Sequence, residues 1–468
     1  MTIEVRPPNF LRRLGTDEYA PQPFTPRDRQ VVAATIERLT LAAERHHVPG
    51  PLYAQGRTAT AAGLLELNRS AGTSFFDVPA EAVDEHEAAM AAFAKPFPVI
   101  DVQTHYLAPH ASTDAWKTGA LHRMYSALMP GWWTELDDIV AFTAADYIRN
   151  VFVECENAVA VLTSGPGLTP QDRALFNDEI FATKALVEEF AGPGRLLNHV
   201  VVHADVAAEI EAMEWWAKEY DPVGWKVYTP GRMTAEGWAG GWMLDDEQYG
   251  LPFLQRAHDL GVKLVCAHKG ISALADNGSP RDIGPAAAAF PDMNFVIYHS
   301  GFEFGPPIDD SPAEGPYTEA TAHLGANRLI TTALENGIGR GGNIYAELGT
   351  TWFSLLRRPR EAAHLLGKLI AHFGADNVIW GTDSIWYGSA QPLIDAFRCF
   401  QIPDDMCAEF GYERLTDEVK AKILAGNASR IYGIDLDFAA DIAARDDHAW
   451  ARALLEEQTI ATFPGSAS

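Results

Sequence analysis

Cysteine is scarce in this sequence, and its spacing excludes two common kinds of site. The four cysteines, Cys155, Cys266, Cys399 and Cys407, form no CxxC pair. Cys266 lies within an apolar, strand-like run, where a cysteine packs as a small hydrophobic residue. We therefore predict neither a disulfide framework nor a structural zinc site.

Long apolar runs and basic residues are also in short supply. No segment approaches the run of about eighteen apolar residues that a membrane helix needs, and Arg12-Arg13 has no apolar run behind it. Asp and Glu number 63 against 36 Lys and Arg, and the resulting formal charge of −27 repels phosphate backbones and anionic lipid. We expect a cytoplasmic protein that has a small-molecule substrate, no signal peptide, and no nucleic-acid or membrane partner.

The sequence does contain enough apolar residues, 47% of 468, to form one large catalytic domain with appendages. Residues 1–95 are predicted to be an appendage, with prolines near the start and helical patterns over about 28–47 and 79–94. We expect this appendage to pack against the main domain or against a second subunit, and we expect a homodimer. The main domain is predicted over residues 96–435 and a helical tail over 436–468.

Short apolar runs alternate with longer amphipathic segments from residue 97 onward. Eight runs cover about 97–102, 158–163, 198–203, 223–228, 262–267, 294–299, 343–348 and 377–382. This alternation is typical of βα units, so we predict an α/β fold, a (β/α)8 TIM-like barrel. Aromatic-rich insertions follow the first and fourth runs, and Trp132 and Trp133 of the first insertion are predicted either to line a substrate pocket or to anchor the loop.

Metal-ligand residue types stand at the ends of several of these runs. His105 follows the first run, His268 the fifth, His299 closes the sixth, and Asp383 follows the eighth. Because strand ends meet at one mouth of a β/α barrel, these side chains are expected to converge. Imidazoles and one carboxylate suit a divalent metal and leave coordination positions open for water and substrate.

These residues and their neighbours resemble the amidohydrolase superfamily. The matching segments are Asp101-Val102-Gln103-Thr104-His105, His268, Tyr298-His299-Ser300-Gly301, Gly381-Thr382-Asp383 and residues 423–433. More narrowly, they resemble the amidohydrolase-related branch that includes aminocarboxymuconate-semialdehyde decarboxylase, other decarboxylases and various hydrolases. The resemblance spans about residues 97–435 and leaves the first 95 outside.

The resemblance implies a role for each strand-end residue. The first-strand ligand pair falls on Gln103 and His105, the fifth-strand metal histidine on His268, the sixth-strand catalytic histidine on His299, and the eighth-strand aspartate on Asp383. Gln103 departs from the usual His or Glu, because an amide oxygen is a weaker, uncharged ligand. One divalent ion is implied, with zinc expected first and manganese or iron as alternatives.

Three further charged residues are candidates for substrate binding or for supporting the site. Lys226 lies in the fourth run, where some superfamily members have a carboxylated lysine that bridges two metals; the one-metal alternative has Lys226 pair with a carboxylate or with a substrate anion. Glu303 and Glu347 are placed to orient a histidine or to balance the charge of Lys226. An ion pair inside the barrel is an equally good interpretation of both acids.

The sequence favours hydrolysis, with three functions kept open. In the first, a metal-activated water attacks a C–N, C–O or C–C bond while His299 or Asp383 moves the proton. The alternative is non-oxidative decarboxylation of an aromatic or unsaturated acid, favoured by Gln103 and by the segment Tyr298 to Glu303. The third is a non-catalytic barrel that binds a ligand.

Overall fold

A computed structural model of the chain describes residues 5–15, 23–54, 56–111, 142–165, 173–234, 237–271, 275–303, 314–445, 448–451 and 454–455. Eight parallel strands follow one another around a barrel in chain order. They are β1 (Val99–Thr104), β2 (Asn157–Leu162), β3 (Leu196–Val202), β4 (Gly224–Tyr228), β5 (Leu264–His268), β6 (Asn294–Tyr298), β7 (Ile344–Glu347) and β8 (Val378–Ile379). All eight predicted runs are therefore strands, and the predicted (β/α)8 barrel is confirmed.

Backbone hydrogen bonds between the last strand and the first bring the barrel close to closure. The N–H of Val102 donates to the carbonyl of Trp380 at 3.3 Å, and the N–H of Asp383 donates to the carbonyl of Gln103 at 2.9 Å. The N–H of His105 donates to Ser384 at 2.6 Å. These bonds place the Gln103-to-His105 segment directly beside Asp383, although almost 280 residues separate them in the chain.

Return helices connect the strands on the outside of the barrel. They are Ala144–Ile148, Asn177–Ala191, Ala207–Tyr220, Gly250–Asp259, Ile283–Ala289, Asn327–Glu335, Pro359–Phe373 and Gln391–Cys399. The strands are buried on both faces, as expected for parallel strands with helices outside and a filled core inside. This is why they appear in the sequence as continuous apolar runs.

The N-terminal appendage packs on the last return helix, Gln391–Cys399. Arg57 is 3.1 Å from the buried carboxylate of Asp395, and the Asn9 amide donates to the carbonyl of Ser389 at 2.8 Å. Of the two packing partners predicted for the appendage, the barrel is the one that it contacts here. The boundaries of the three predicted regions remain predictions.

The appendage contains a helix that the sequence patterns did not reveal. Its helices are Pro26–His46, Gly50–Tyr53, Arg57–Ala71 and His86–Phe93. Pro26–His46 begins with a capping box between Thr25 and Asp28, which is a readable start signal. Arg57–Ala71 has nine buried residues on more than one face, so it lacks the polar stripe by which an amphipathic helix is recognised.

Two insertions and the C-terminal region complete the described structure. The second insertion forms a two-stranded ribbon of Arg232–Thr234 and Gly237–Ala239, and Trp242 beyond it is buried. Trp132 and Trp133 of the first insertion lie outside the described residues. After the helices Asp404–Phe410, Asp417–Ala421 and Asn427–Tyr432, the helix Leu436–Arg445 packs under the barrel. None of the helices described is long and apolar enough to cross a membrane.

Candidate active site at the mouth of the barrel

The backbone is strained where three strands end at the mouth. His299 after β6, Thr350 after β7 and Asp383 after β8 have φ angles of 59°, 55° and 59°. Left-handed conformations are rare for residues other than glycine, cost about 1–3 kcal/mol each and cluster at functional sites. The strain therefore marks this mouth of the barrel independently of residue type.

The carboxylate of Asp383 is the centre of a hydrogen-bonded cluster. Its Oδ1 atom lies 2.9 Å from His105 Nε2 and accepts a 2.9 Å hydrogen bond from Gln103 Nε2. Its Oδ2 atom accepts from the Thr350 hydroxyl. Burial by itself raises the pKa of Asp383, but the contact with His105, the nearby His299 imidazole and the Thr350 hydroxyl lower it below its ordinary value. Asp383 is therefore held as a carboxylate.

Backbone carbonyls fix which nitrogen of two histidines carries a proton. His105 Nδ1 is 3.2 Å from the carbonyl of Thr163, and His299 Nδ1 is 2.8 Å from the carbonyl of Gly349. Because a carbonyl only accepts, Nδ1 carries the hydrogen, and in a neutral ring the lone pair is on Nε2. The His105 lone pair would then face the Asp383 carboxylate, an arrangement that requires a proton or a cation between them.

His268 and His299 form a buried pair of imidazoles. His299 Nε2 is 3.2 Å from His268 Nδ1, and the ring of Tyr228 lies 4.4 Å from that of His268. Burial, the largest effect, lowers the pKa of His299 to about 4 and lowers that of His268 well below its usual value; the charge of Lys226 acts in the same direction. Both rings are therefore neutral near pH 7, the form in which histidine binds metals.

Lys226 and Glu347 lie beneath the histidines inside the barrel. The Lys226 ammonium is 3.5 Å from the centre of the Tyr298 ring, a cation–π contact. Glu347 accepts hydrogen bonds from the backbone N–H groups of His299 at 2.9 Å and Gly349 at 2.6 Å, and burial raises its pKa to about 8. Glu347 thus supports the backbone that carries His299. Glu303, four residues beyond His299, is half-buried.

The residue types at the mouth fit one divalent ion, although their side chains contact one another and are not arranged around an ion. Within the ranges given above, no three His, Cys, Asp or Glu side chains are arranged to hold a metal ion. Their polar atoms instead bond to one another, as His105 does to Asp383. The carbonyl-fixed tautomer of His105 and the carboxylate of Asp383 are nevertheless the chemistry of a metal site, because carbonyls commonly orient ligand histidines in this way.

Two residues of the site were missed in the sequence. Thr350, which bonds to Asp383 and contacts the Tyr387 hydroxyl at 2.7 Å, stands at a strand end like the predicted residues, but threonine is too common there to attract attention. Asp101 accepts from the Thr382 hydroxyl at 2.5 Å and the Thr382 N–H at 3.0 Å, and burial raises its pKa to about 7. It stands in the segment that carried the resemblance, but its role depends on the contact between β1 and β8.

The fold and the site define a class of protein: a (β/α)8 barrel whose mouth gathers imidazoles, a carboxylate and a buried lysine. The amidohydrolase family model matches residues 100–434, most of the chain, and the chain belongs to this family. The match begins within β1 and ends after the helix Asn427–Tyr432, so the N-terminal appendage is outside it. The resemblance predicted from the sequence is confirmed.

Solved structures of similar fold come from several bacteria. They include 2,6-dihydroxybenzoate decarboxylase from Rhizobium, with 14% identity, a TM-score of 0.41, and coverage of 72% of this chain and 99% of that one. An uncharacterised TIM-barrel protein from Bordetella bronchiseptica has 16% identity, a TM-score of 0.46 and coverage of 73% and 99%. A putative 2-pyrone-4,6-dicarboxylic acid hydrolase from Pseudomonas putida has 16% identity, a TM-score of 0.42 and the same coverage. No curated protein matches the chain by sequence.

Proposed function

We propose that this protein is a metal-dependent carboxy-lyase, which removes CO2 without oxidation from a small acid that bears an oxygen beside its carboxylate. His105, His268 and Asp383 would hold one divalent ion, with zinc expected first because two of the three donors are nitrogen. When bound, the ion supplies positive charge for the substrate's carboxylate and neighbouring oxygen. The expectation of hydrolysis is not confirmed, and we now place it second.

We place decarboxylation before hydrolysis because of the contacts that the Asp383 carboxylate already makes. Two side-chain donors, the Gln103 amide and the Thr350 hydroxyl, point at its carboxylate, His105 Nε2 lies 2.9 Å from it, and its pKa lies below the ordinary value. A carboxylate with a lowered pKa is a weak base, so it is poorly suited to take a proton from water. Decarboxylation has no such requirement: the C–C bond breaks, its electron pair remains on carbon, and a proton then replaces CO2 there.

Burial of the site also favours loss of CO2. The exposed fractions of His105, His268, His299 and Asp383 are 2%, 1%, 0% and 4%. Removing a substrate carboxylate from water raises its energy relative to neutral CO2, provided the site binds the rest of the molecule. Lys226, a buried cation beneath the histidines, is a candidate to attract the acid into this dry space.

Within this reaction His299 is the proton carrier. Its Nδ1–H is held by the Gly349 carbonyl, so its Nε2 atom is the one that gains and loses a proton at the mouth. The same observation keeps hydrolysis as the second candidate, because the Nε2 lone pair of a neutral His299 is the atom that would accept a proton from attacking water. Either way the fixed tautomer decides which atom acts. The homodimer remains a prediction.

Isotope labelling distinguishes the two reactions. Purified protein would be loaded with zinc, manganese or iron and incubated with small aromatic and unsaturated acids that carry an oxygen next to the carboxylate. We expect CO2 release and, in D2O, deuterium on the carbon that lost it. Oxygen from labelled water in the product, without CO2 release, would instead establish hydrolysis and reject the lyase assignment.

A metal assay tests the ligands separately. We expect one divalent ion per chain, lost in His268→Ala and retained in a matched variant outside the mouth, Cys399→Ala. Full occupancy in His268→Ala would overturn the ligand assignment whatever the reaction is.

A further inference from the structure

Gln103 stands at the first-strand position where the family has a metal ligand, but the atom that it turns toward Asp383 cannot bind a metal ion. Its amide nitrogen, not its oxygen, faces Asp383, and it donates to Oδ1 at 2.9 Å. An amide N–H cannot bind a metal ion, whereas the amide oxygen can. The orientation of this side chain therefore decides how many protein ligands the ion has.

We propose that Gln103 is a positioning residue that holds Asp383 through its N–H group and stays outside the coordination sphere. This inference rests on the proposed metal site, and it gives that site one ligand fewer than the paired first-strand ligands of the family would. The coordination position left open by Gln103 is then available to water or substrate.

The amide group of Gln103 is tightly packed on its oxygen side. A methyl group added at Gly349 would lie 2.3 Å from Gln103 Oε1, and one added at Gly381 would lie 3.1 Å from Gln103 Cβ. The oxygen thus fills a niche that only glycine at position 349 leaves open. Among the described residues this buried oxygen has no hydrogen-bond partner, and that is the cost of the orientation.

The hydrogen bonds that Asp383 accepts favour the orientation in which the Gln103 amide nitrogen faces Asp383. If the amide turned over, Oε1 would face Asp383 Oδ1, and two acceptors would meet at the distance now spanned by a hydrogen bond. Asp383 would also lose one of its two side-chain donors while remaining buried at 4% exposure. Only a cation beside both oxygens would offset that loss, which makes oxygen ligation by Gln103 the competing arrangement.

Two substitutions separate these arrangements. Gln103→Met keeps the length of the side chain but removes both donor and ligand oxygen, while Gln103→Glu supplies a charged ligand oxygen and no donor. Each variant would be loaded with Co2+, whose visible absorption reports coordination number and ligand type. Wild type and His268→Ala, which must lose the ion, serve as controls.

A positioning role predicts opposite responses in the two variants. Gln103→Met keeps the wild-type Co2+ spectrum and binds about tenfold more weakly, as expected when a group that orients a ligand is removed. Gln103→Glu changes the spectrum and binds more tightly, because a ligand has been added. The reverse, an altered spectrum in Gln103→Met and a preserved one in Gln103→Glu, would show that the amide oxygen is already a ligand.

The Tm of the metal-free protein can be measured whether or not the proposed metal site exists. Gln103→Met is expected to lower the Tm of metal-free protein by about 2 °C or more, because a buried carboxylate loses a donor. If wild type takes up no Co2+, the proposed metal site is rejected while this measurement still tests the contact between Gln103 and Asp383. A Tm equal to or above that of wild type would overturn the positioning role.

Discussion

The hydroxyl of Thr350 offers the sharpest test of how the carboxylate of Asp383 is held. Thr350→Val replaces the hydroxyl with a methyl group of similar size and retains the branched side chain at the strained φ of 55°. It removes the donor to Asp383 Oδ2 and the partner of the Tyr387 hydroxyl. A hydrogen bond to a charged group contributes about 1.5–3 kcal/mol, so we expect metal-free Thr350→Val to lose about 2 kcal/mol of unfolding free energy.

The pH dependence of that loss identifies its origin. The pKa of Asp383 is lowered in the folded protein, so its contribution to stability is present above the unfolded pKa of about 4 and is lost as pH falls through the folded value. Thr350→Val weakens one cause of this lowering. The difference between variant and wild type should therefore be largest near pH 7 and shrink below about pH 4.

Urea denaturation of metal-free protein between pH 3.5 and 7 measures both quantities. Thr350→Ser is the matched control, because it keeps the donor and loses only a methyl group; we expect it to remain closer to wild type than Thr350→Val at pH 7. Equal stability of Thr350→Val and wild type at pH 7, or a loss that does not change with pH, would refute the role of this hydrogen bond.

Three further predictions concern His299, a buried ion pair next to His268 in the chain, and Gly349. His299→Ala should retain the metal but lose about 100-fold or more in rate, as measured by metal analysis and turnover; an active variant would remove His299 from the mechanism. Lys269→Met should lose about 3–5 kcal/mol by breaking the fully buried 2.7 Å pair with Asp282, and the double variant Lys269→Met/Asp282→Leu should recover most of it in denaturation experiments. Gly349→Ala should lower metal occupancy and Tm, because the added methyl would lie 2.3 Å from Gln103 Oε1; unchanged occupancy would show that the niche relaxes.

The barrel was predictable because its strands are buried on both faces. A strand such as β5, Leu264–His268, has no polar side to water, so its apolar run begins and ends where the strand does, within about two residues. The same reasoning identified His268 and Asp383 as candidates, because a polar residue at the end of a buried strand is often there for function and not for packing. The helix Arg57–Ala71 escaped because burial on several faces removed the periodicity on which helix prediction depends.

How the residues of the candidate site are arranged was less predictable than which residues it contains. Whether Gln103 offers nitrogen or oxygen depends on Asp383, 280 positions away, and on the absence of side chains at Gly349 and Gly381. Thr350 has the same limitation, because its hydroxyl has a role only once β7 and β8 are neighbours. Sequence patterns identify residue types at strand ends, but the direction of each hydrogen bond is set by contacts between strands.

These contacts also bear on the proposed chemistry. The His299 ring is tied to a backbone carbonyl, and a neutral carbonyl stabilises the imidazolium less than a carboxylate partner would. Burial can therefore keep the pKa of His299 low, and the ring remains neutral over the physiological range. Asp383, in contrast, accepts hydrogen bonds from the Gln103 amide and the Thr350 hydroxyl, and it stays ionised. The proposed reaction assigns proton transfer to His299 and metal binding to Asp383, and of these two groups it is Asp383 whose charge is fixed by side-chain donors.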